Sequence, residues 1–576
     1  MPCTKLLLFF VTLIALAPAI SLPENYVGIM NTTGSYNGEI NLPYNNHYST
    51  EADTVHMNLS VVVSEICPQT WRFSHNGTCQ CGHSIHSTVD CGSNQVSILE
   101  CHCMTFEEEL GIAVVGACPY GCGFQRSQRG KVYSPLPEDI SRLNDAMCGR
   151  LNRDGRMCSE CKKGFSPLVY TYDYDCIRCH NSKCNWLKFF AIAFVPLTFF
   201  YVIVILFRIN ATNPYLYGFT TLNQAAGSPI NLRSTFIELT GKFKLVTRII
   251  VIPHTLWNLD YFRSLPLNIC LDLTTLQTLA LDYAIAIYPL FLVIITYIVI
   301  ELHARGCRVL VWLWMPFHRC CVRFSRAMDI QSSIIKAFAT FLLLSYVKLL
   351  NSTIDILLPV RTYDMHHKVV GWYVYYDASY KYFSKEHLPY AITAIIIFLL
   401  FILSPLLLLL LYPTSCCQRW LNICNLRSHA LKTFIDAFQG HYKDGTEPGT
   451  RDCRWFAGIY FLGRIIIFYV IFGYSEDSIC YAMTGITLVF LGMLMILLQS
   501  FKSSKVNTYH IIIVLSVAVA CCSATMLNLA EVYARHTLAL PAAIILTFTI
   551  TPTAVATAYV GYFIAKRYFR ICTVHL

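Results

Sequence analysis

Five ionisable residues, Arg248, Asp282, Lys348, Asp355 and Arg464, stand inside long apolar stretches of this chain. Charge is costly in hydrocarbon, so such residues face a protein interior or water and mark routes for charged species. Lys348 and Asp355 are seven residues apart, which puts them on roughly one helical face. Two chemistries are open to the set. Asp282 and Asp355 form an acidic outer vestibule that draws cations toward a path through a helix bundle, or they neutralise Lys348 or Arg248 in buried ion pairs.

Cysteines make the second constellation. Fourteen of the 27 fall between Cys67 and Cys184, namely Cys67, Cys79, Cys81, Cys91, Cys101, Cys103, Cys118, Cys122, Cys148, Cys158, Cys161, Cys176, Cys179 and Cys184. An even number behind a secretory leader reads as a disulfide framework, whose connectivity the spacing does not reveal. The C-x2-C pairs Cys158/Cys161 and Cys176/Cys179 also suit tetrahedral zinc. An oxidising compartment favours bridges, so no metal site is expected. Cys320-Cys321 and Cys416-Cys417 are juxtamembrane thiols, either reduced or palmitoylated. The chain has no G-x-S-x-G elbow, no H-E-x-x-H helix and no phosphate-cradling glycine loop. Neither enzyme activity nor a cofactor is expected.

The elements that must position these residues are membrane spans. The chain is 55% hydrophobic and 14% charged, with mean hydropathy +0.48, whereas a soluble domain averages about 25% charged residues. Nine apolar stretches, at about 187–209, 244–260, 274–302, 333–359, 389–412, 455–474, 478–500, 507–529 and 537–565, approach or exceed the length of a helical crossing. The second is the weakest, interrupted by Arg248, Pro253 and His254. With nine crossings and the N-terminus outside, the inner segments hold 21 Lys and Arg and the outer loops hold 6. That asymmetry follows the positive-inside rule. It also accounts for the net charge of +10 without nucleic acid, which is excluded as a partner.

Lys5, the apolar run Leu6–Leu16 and Ala17-Pro18-Ala19 make residues 1–21 a signal peptide. Sequons at Asn31, Asn58 and Asn76 lie on the same side as the cysteines. The expected fold is a mainly α membrane protein. A polytopic bundle of about nine transmembrane helices (187–565) follows a glycosylated cysteine-rich domain (22–147) and a juxtamembrane module (148–186), and a cytoplasmic tail (566–576) ends the chain. The ectodomain is small, disulfide-rich and built of loops and strands. The expected location is the plasma membrane, with the N-terminus extracellular and the C-terminus cytoplasmic. Expected partners are the lipid bilayer, an extracellular protein or glycan ligand, and further copies of the chain.

Local patterns add detail. Alternation over Val55–Val63 predicts a strand, and the aromatic runs of Gly371–Phe383 predict a hairpin about an Asp377-Ala378-Ser379 turn. That hairpin either caps the bundle or docks against the cysteine-rich head. Leu431, Phe434, Ile435 and Phe438 recur at helical spacing, which predicts an amphipathic helix along the inner leaflet. Thr547, Thr549, Thr551, Thr553 and Thr557 in the last span line a polar groove or serve close helix packing.

Three resemblances bear on these readings. Cys158-x2-Cys161-x2-Gly164-Phe165 resembles a laminin-type EGF module, which implies a rigid stalk on the first span. Trp257–Arg263, Asp282-Tyr283-Ala284, Phe317-His318-Arg319, Lys336–Phe341, Ser345–Lys348 and Asp436–Lys443 are similar to uncharacterised multipass membrane proteins of simple animals. That similarity runs from about residue 145 to 530 and implies no activity. More remotely, the plan resembles fungal TRP-like membrane proteins, with local echoes at Gly440-His441-Tyr442-Lys443, Arg454-Trp455-Phe456 and Phe501–Asn507. This implies cation or lipid handling. A TRP-type channel places a re-entrant pore segment between its last two spans, and residues 530–536 are too few for one. Two functions are therefore expected: a TRP-like or transporter-like sensor passing cations or lipid within a bundle, or a receptor whose head binds an extracellular partner.

Overall fold

The computed structural model describes residues 152–167, 176–178, 182–227, 271–305, 330–364, 369–423, 429–473 and 477–533, with Cys148 and eight short strands between residues 71 and 135. The leader, Asn31, Asn58 and Asn76, the 55–63 strand, and Cys67, Cys101, Cys118, Cys122 and Cys179 lie outside these residues. So do Arg248 with the 244–260 stretch, the threonines of 547–557 and everything beyond 533. The side chains of Cys79, Cys81, Cys91, Cys103 and Cys184 are likewise outside the description. The chain divides into two compact units, Met1–Phe165 with Leu358–Ser384, and Ser166–Leu357 with Lys385–Leu576.

The first unit is built of short antiparallel strands. β1 (Trp71–Phe73) pairs with β2 (Cys79–Cys81). β3 (Val89–Gly92), β4 (Gln95–Leu99), β7 (Gln125–Arg126) and β8 (Lys131–Pro135) form a four-stranded sheet in the order β3-β4-β8-β7. β5 (His102–Glu107) and β6 (Ile112–Ala117) make a hairpin, and β9 (Arg153–Asp154) pairs with β10 (Glu160–Cys161). β12 (Cys176–Arg178) and all but the first residue of β11 (Phe165–Pro167) belong to the second unit.

The segment between two predicted spans contributes β13 (Pro359–Asp364), β14 (Val369–Val374) and β15 (Asp377–Lys381). These extend the β5–β6 hairpin into a five-stranded sheet ordered β15-β14-β13-β6-β5, with Thr362 opposite Gly116 and Tyr363 opposite Val115. Of the two placements expected for the aromatic hairpin, the structure therefore shows it in the cysteine-bearing unit. The turn is displaced from the expected position. Tyr375 and Tyr376 form it, while Asp377 and Ala378 are buried in β15, Asp377 opposite Val374. Asp377 tolerates burial because its carboxylate accepts the Ser379 hydroxyl proton.

A 3-10 turn over Arg156–Cys158 docks on this sheet. Gly155, Met157 and Cys158 all have φ between 53° and 73°, a conformation costly for the last two. Several contacts hold it. Cys158 is disulfide-bonded to Cys148. Met157 N–H donates to Thr105 Oγ1 at 3.2 Å, and buried Arg153 donates through Nη1 to the Cys158 and Ser159 carbonyls, both at 3.1 Å. A Cβ on Gly116 would meet Met157 Sδ at 3.1 Å, so the strand needs glycine where the methionine packs. The Arg156 guanidinium lies 3.9 Å from the Tyr373 ring centroid. Cys161 and Cys176 are also oxidised to disulfides, which removes Cys158, Cys161 and Cys176, the three described cysteines of the zinc-like pairs, from metal ligation.

The second unit is helical: α1 (Ser182–Phe207), α2 (Pro214–Gly227), α3 (Thr275–Ala304), α4 (Ile330–Leu357), α5 (Leu388–Ile397), α6 (Ser404–Leu411), α7 (Ser415–Ile423), α8 (His429–Gln439), α9 (Phe456–Gly473), α10 (Asp477–Leu498) and α11 (Ser504–Tyr533). Among the described residues, five stretches are long and apolar enough to cross a bilayer: Asn185–Phe207, Thr275–Leu302, Ser332–Leu357, Leu388–Leu411 and Ser504–Ser523. Phe456–Ile467 and Ala482–Leu498 are shorter apolar helices. All seven coincide with stretches picked out by hydropathy.

Burial ranks them. Ser332–Leu357 is 83% buried and Asn185–Phe207 only 28%, so α4 is the axis of the unit. Its apolar residues surround it on all sides, as an enclosed helix requires.

The Leu388–Leu411 stretch runs as α5, a π-helical segment over Phe398–Leu403, then α6. Pro405 has no N–H to donate backward, and Ser404 Oγ donates to the Leu400 carbonyl at 2.8 Å in its place. The Ile402 carbonyl accepts Tyr346 O–H from α4 at 3.4 Å.

α8 differs from expectation in what its apolar face meets. Phe434 stacks near Phe338 of α4 at 6.0 Å, and Phe438 near Phe461 of α9 at 5.5 Å. Ile435 and Phe438 are buried in protein, and Gln439 Nε2 donates to the Leu409 carbonyl at 2.6 Å. Ile435 and Phe438 of the stripe therefore serve helix packing, while Leu431 and Phe434 stay half-buried.

Beyond α8, the two stretches that carried the TRP-like echo lie side by side. Tyr442 bridges Phe501 in antiparallel fashion, their rings 4.5 Å apart, and Lys443 N–H donates to the Ser500 carbonyl at 2.9 Å. Asn507 clamps Phe501 by accepting its N–H and donating to its carbonyl.

Candidate functional site

Two groups of buried charge occupy the helical unit. The first lies between α3 and α4. Asp282, Tyr283 and Ala286 share a face of α3, and Ser345 and Lys348 sit one turn apart on α4. Lys348 Nζ stands 3.3 Å from Asp282 Oδ1, both side chains less than a tenth exposed. Tyr283 O–H donates to Thr353 Oγ1 at 2.9 Å, and Thr353 in turn donates to the Leu349 carbonyl. Ser345 Oγ donates to the Ala286 carbonyl at 2.8 Å. Asp355 is buried on the same helix, within electrostatic reach of Tyr283. Of the two readings of these charges, the geometry draws Asp282 into an ion pair with Lys348.

The second group surrounds Arg464 on α9, 2% exposed. Its Nη2 donates to Thr221 Oγ1 of α2 at 2.8 Å. Ring centroids of Phe461, Tyr217 and Tyr346 lie 5.1, 5.6 and 6.0 Å from the guanidinium carbon. Among the described residues, Nε and Nη1 have no hydrogen-bond partner, and neither have the buried hydroxyls of Tyr217 and Tyr442. Among the described residues no carboxylate lies within ion-pair distance of Arg464.

A histidine relay borders this group. His510 Nε2 is 2.8 Å from the Pro214 carbonyl, which can only accept, so Nε2 carries the proton and Nδ1 accepts Tyr460 O–H at 2.5 Å. A Cβ on Gly218 would stand 2.9 Å from His510 Cε1, so α2 can approach the ring only at glycine.

Among the described residues no cluster of three or more His, Cys, Asp or Glu is placed to hold a metal ion. No family model matches this chain, and no curated protein or solved structure is similar to it.

Of the five intramembrane charges read from sequence, the structure brings Asp282 and Lys348 together, buries Asp355 and sets Arg464 apart; Arg248 lies outside the described residues. Sequence reasoning missed Tyr217, Thr221, Tyr346, Tyr442, Tyr460 and His510. It also treated 208–244 as a loop, although Asn213 Oδ1 accepts Tyr215 N–H at 3.2 Å and Pro214 opens α2. An Asn N-cap followed by proline is a legible helix start, and it was the signal available for that side of the Arg464 group.

Proposed function

We propose that this is a cell-surface membrane protein of about nine crossings whose helix bundle passes or senses a charged species, in the manner of a transporter or TRP-like protein. Its cysteine-bearing unit faces the exterior and its C-terminus the cytosol. One observation carries the reading: the helical unit encloses a paired charge at Asp282–Lys348 and, at Arg464, a buried cation with no carboxylate in ion-pair distance among the described residues. An anchor gains nothing from such charges, which cost stability and are retained where charged species are handled. The adjacency of Tyr442 and Phe501, from the two stretches of the TRP-like echo, adds support.

A second reading, a receptor for an extracellular protein or glycan, is favoured by Trp372 and Phe383. Both are large, substantially exposed aromatics in the cysteine-bearing unit, of the kind that anchor interfaces. Flux of radioactive sodium and chloride, and lipid scrambling, measured on the full chain in lipid vesicles, test the first reading. Wild-type vesicles carrying ions or lipid above protein-free controls support it. No flux and no scrambling sinks it and leaves the receptor.

A further inference from the structure

We infer that Arg464, Tyr217 and Tyr442 form a binding site for a small monoanion of the halide or formate class. The inference deepens the transport reading by naming a solute, and rests on that reading only for the claim that the solute moves.

The guanidinium cannot shed its proton in a protein. It is enclosed on α9, spends one donor on Thr221, and leaves Nε and Nη1 unfilled. Tyr217 and Tyr442 both lie within electrostatic reach of Arg464, and among the described residues neither buried hydroxyl has a partner at good hydrogen-bond geometry. Four polar hydrogen-bonding atoms of three side chains are thus left open about one positive charge.

Aromatic faces recover part of the cost of burying that charge, about 0.5–2 kcal/mol each at these distances. An unbalanced buried cation costs several. The group that completes the site must accept hydrogen bonds from the guanidinium and the two phenols, and must carry a single negative charge. A dianion would invert the imbalance, and water supplies acceptors without charge. Arg464, Tyr217 and Tyr442 are each at most 3% exposed, so the occupant proposed is the smallest class of monoanion, a halide or formate.

Thermal unfolding of the full chain in detergent tests this, titrated with sodium chloride or sodium formate against sodium gluconate at constant ionic strength. The expected result is a saturable rise in Tm with chloride and formate and none with gluconate. Tyr217→Phe removes one donor and weakens the half-saturation concentration about 3–10-fold. Arg464→Gln abolishes the response. Since Arg464→Gln also alters packing, broadening of the chloride-35 resonance by wild type and by folded Tyr217→Phe is the direct readout. Formate should reverse the broadening in wild type at lower concentration than in the variant.

A wild-type protein with no saturable response overturns the inference, as does a Tyr217→Phe protein indistinguishable from wild type in both measurements. Saturable anion binding without vesicle flux removes the transport reading alone. Vesicle flux of cations or lipid without anion binding removes this inference alone.

Discussion

Lys348 and Arg464 are both buried cations in one helical unit, 5% and 2% exposed, yet among the described residues Lys348 has a carboxylate 3.3 Å away and Arg464 has none in ion-pair distance. Around Lys348 the polar groups close on one another: Tyr283 on Thr353, Thr353 on Leu349, Ser345 on Ala286. Around Arg464 they stop short. The difference teaches that burial of charge does not by itself define a site. A paired cation is a structural element, whereas a cation with unfilled donors leaves work for something outside the chain.

Breaking the paired group should give the largest effect. Asp282→Asn leaves the Lys348 ammonium buried without its counter-charge and is expected to cost about 3–5 kcal/mol, seen as a fall in Tm in detergent. Adding Lys348→Met to it should recover most of that loss. A single variant as stable as wild type would break the comparison at its satisfied end. Tyr283→Phe, which removes one hydrogen bond from the same group, should cost about 1 kcal/mol, with Thr353 still bonded to Leu349.

At the other end the expectation reverses. Arg464→Met in anion-depleted buffer should change stability by less than about 1 kcal/mol, or raise it, since no partner charge is stranded. A loss as large as that of Asp282→Asn would mean that Arg464 is already balanced. Tyr217→Phe under the same conditions should fall within about 0.5 kcal/mol of wild type, in contrast to Tyr283→Phe.

An exposed ion pair sharpens the contrast least. Asp444 is held well below the usual carboxylate range, first by the Thr446 hydroxyl and then by Lys502 at 2.9 Å. Its folded pKa is depressed, so its contribution is present above about pH 4 and is lost as pH falls from there toward the depressed folded pKa. The small Tm gap between wild type and Asp444→Asn should therefore close in acid. A gap that widens there would contradict the assignment.

Hydropathy located seven of the nine predicted stretches where the structure describes helices, because length and apolarity are properties of consecutive residues. The amphipathic spacing of Leu431, Phe434, Ile435 and Phe438 likewise identified α8. What that face would meet was not legible, because lipid and the rings of Phe338 and Phe461 attract the same side chains. The hairpin of 371–383 was legible, but its turn was misplaced at Asp377-Ala378-Ser379, residues that pair with Val374 and neighbouring positions instead. The cysteine spacing suited zinc as well as bridges and the compartment favoured bridges, of which the bond between Cys148 and Cys158 is one.

Sequence alone determined that this chain carries helices long and apolar enough to cross a membrane, with charges placed where lipid would reject them, since composition over some twenty residues already sets that cost. Only the tertiary structure decided which charge meets which. Asp282 and Lys348 are 66 positions apart, and Thr221 and Arg464 are 243. A contact across such distances is set by how helices pack, which no local pattern encodes. The separation of a satisfied cation from an unsatisfied one therefore belongs to the fold.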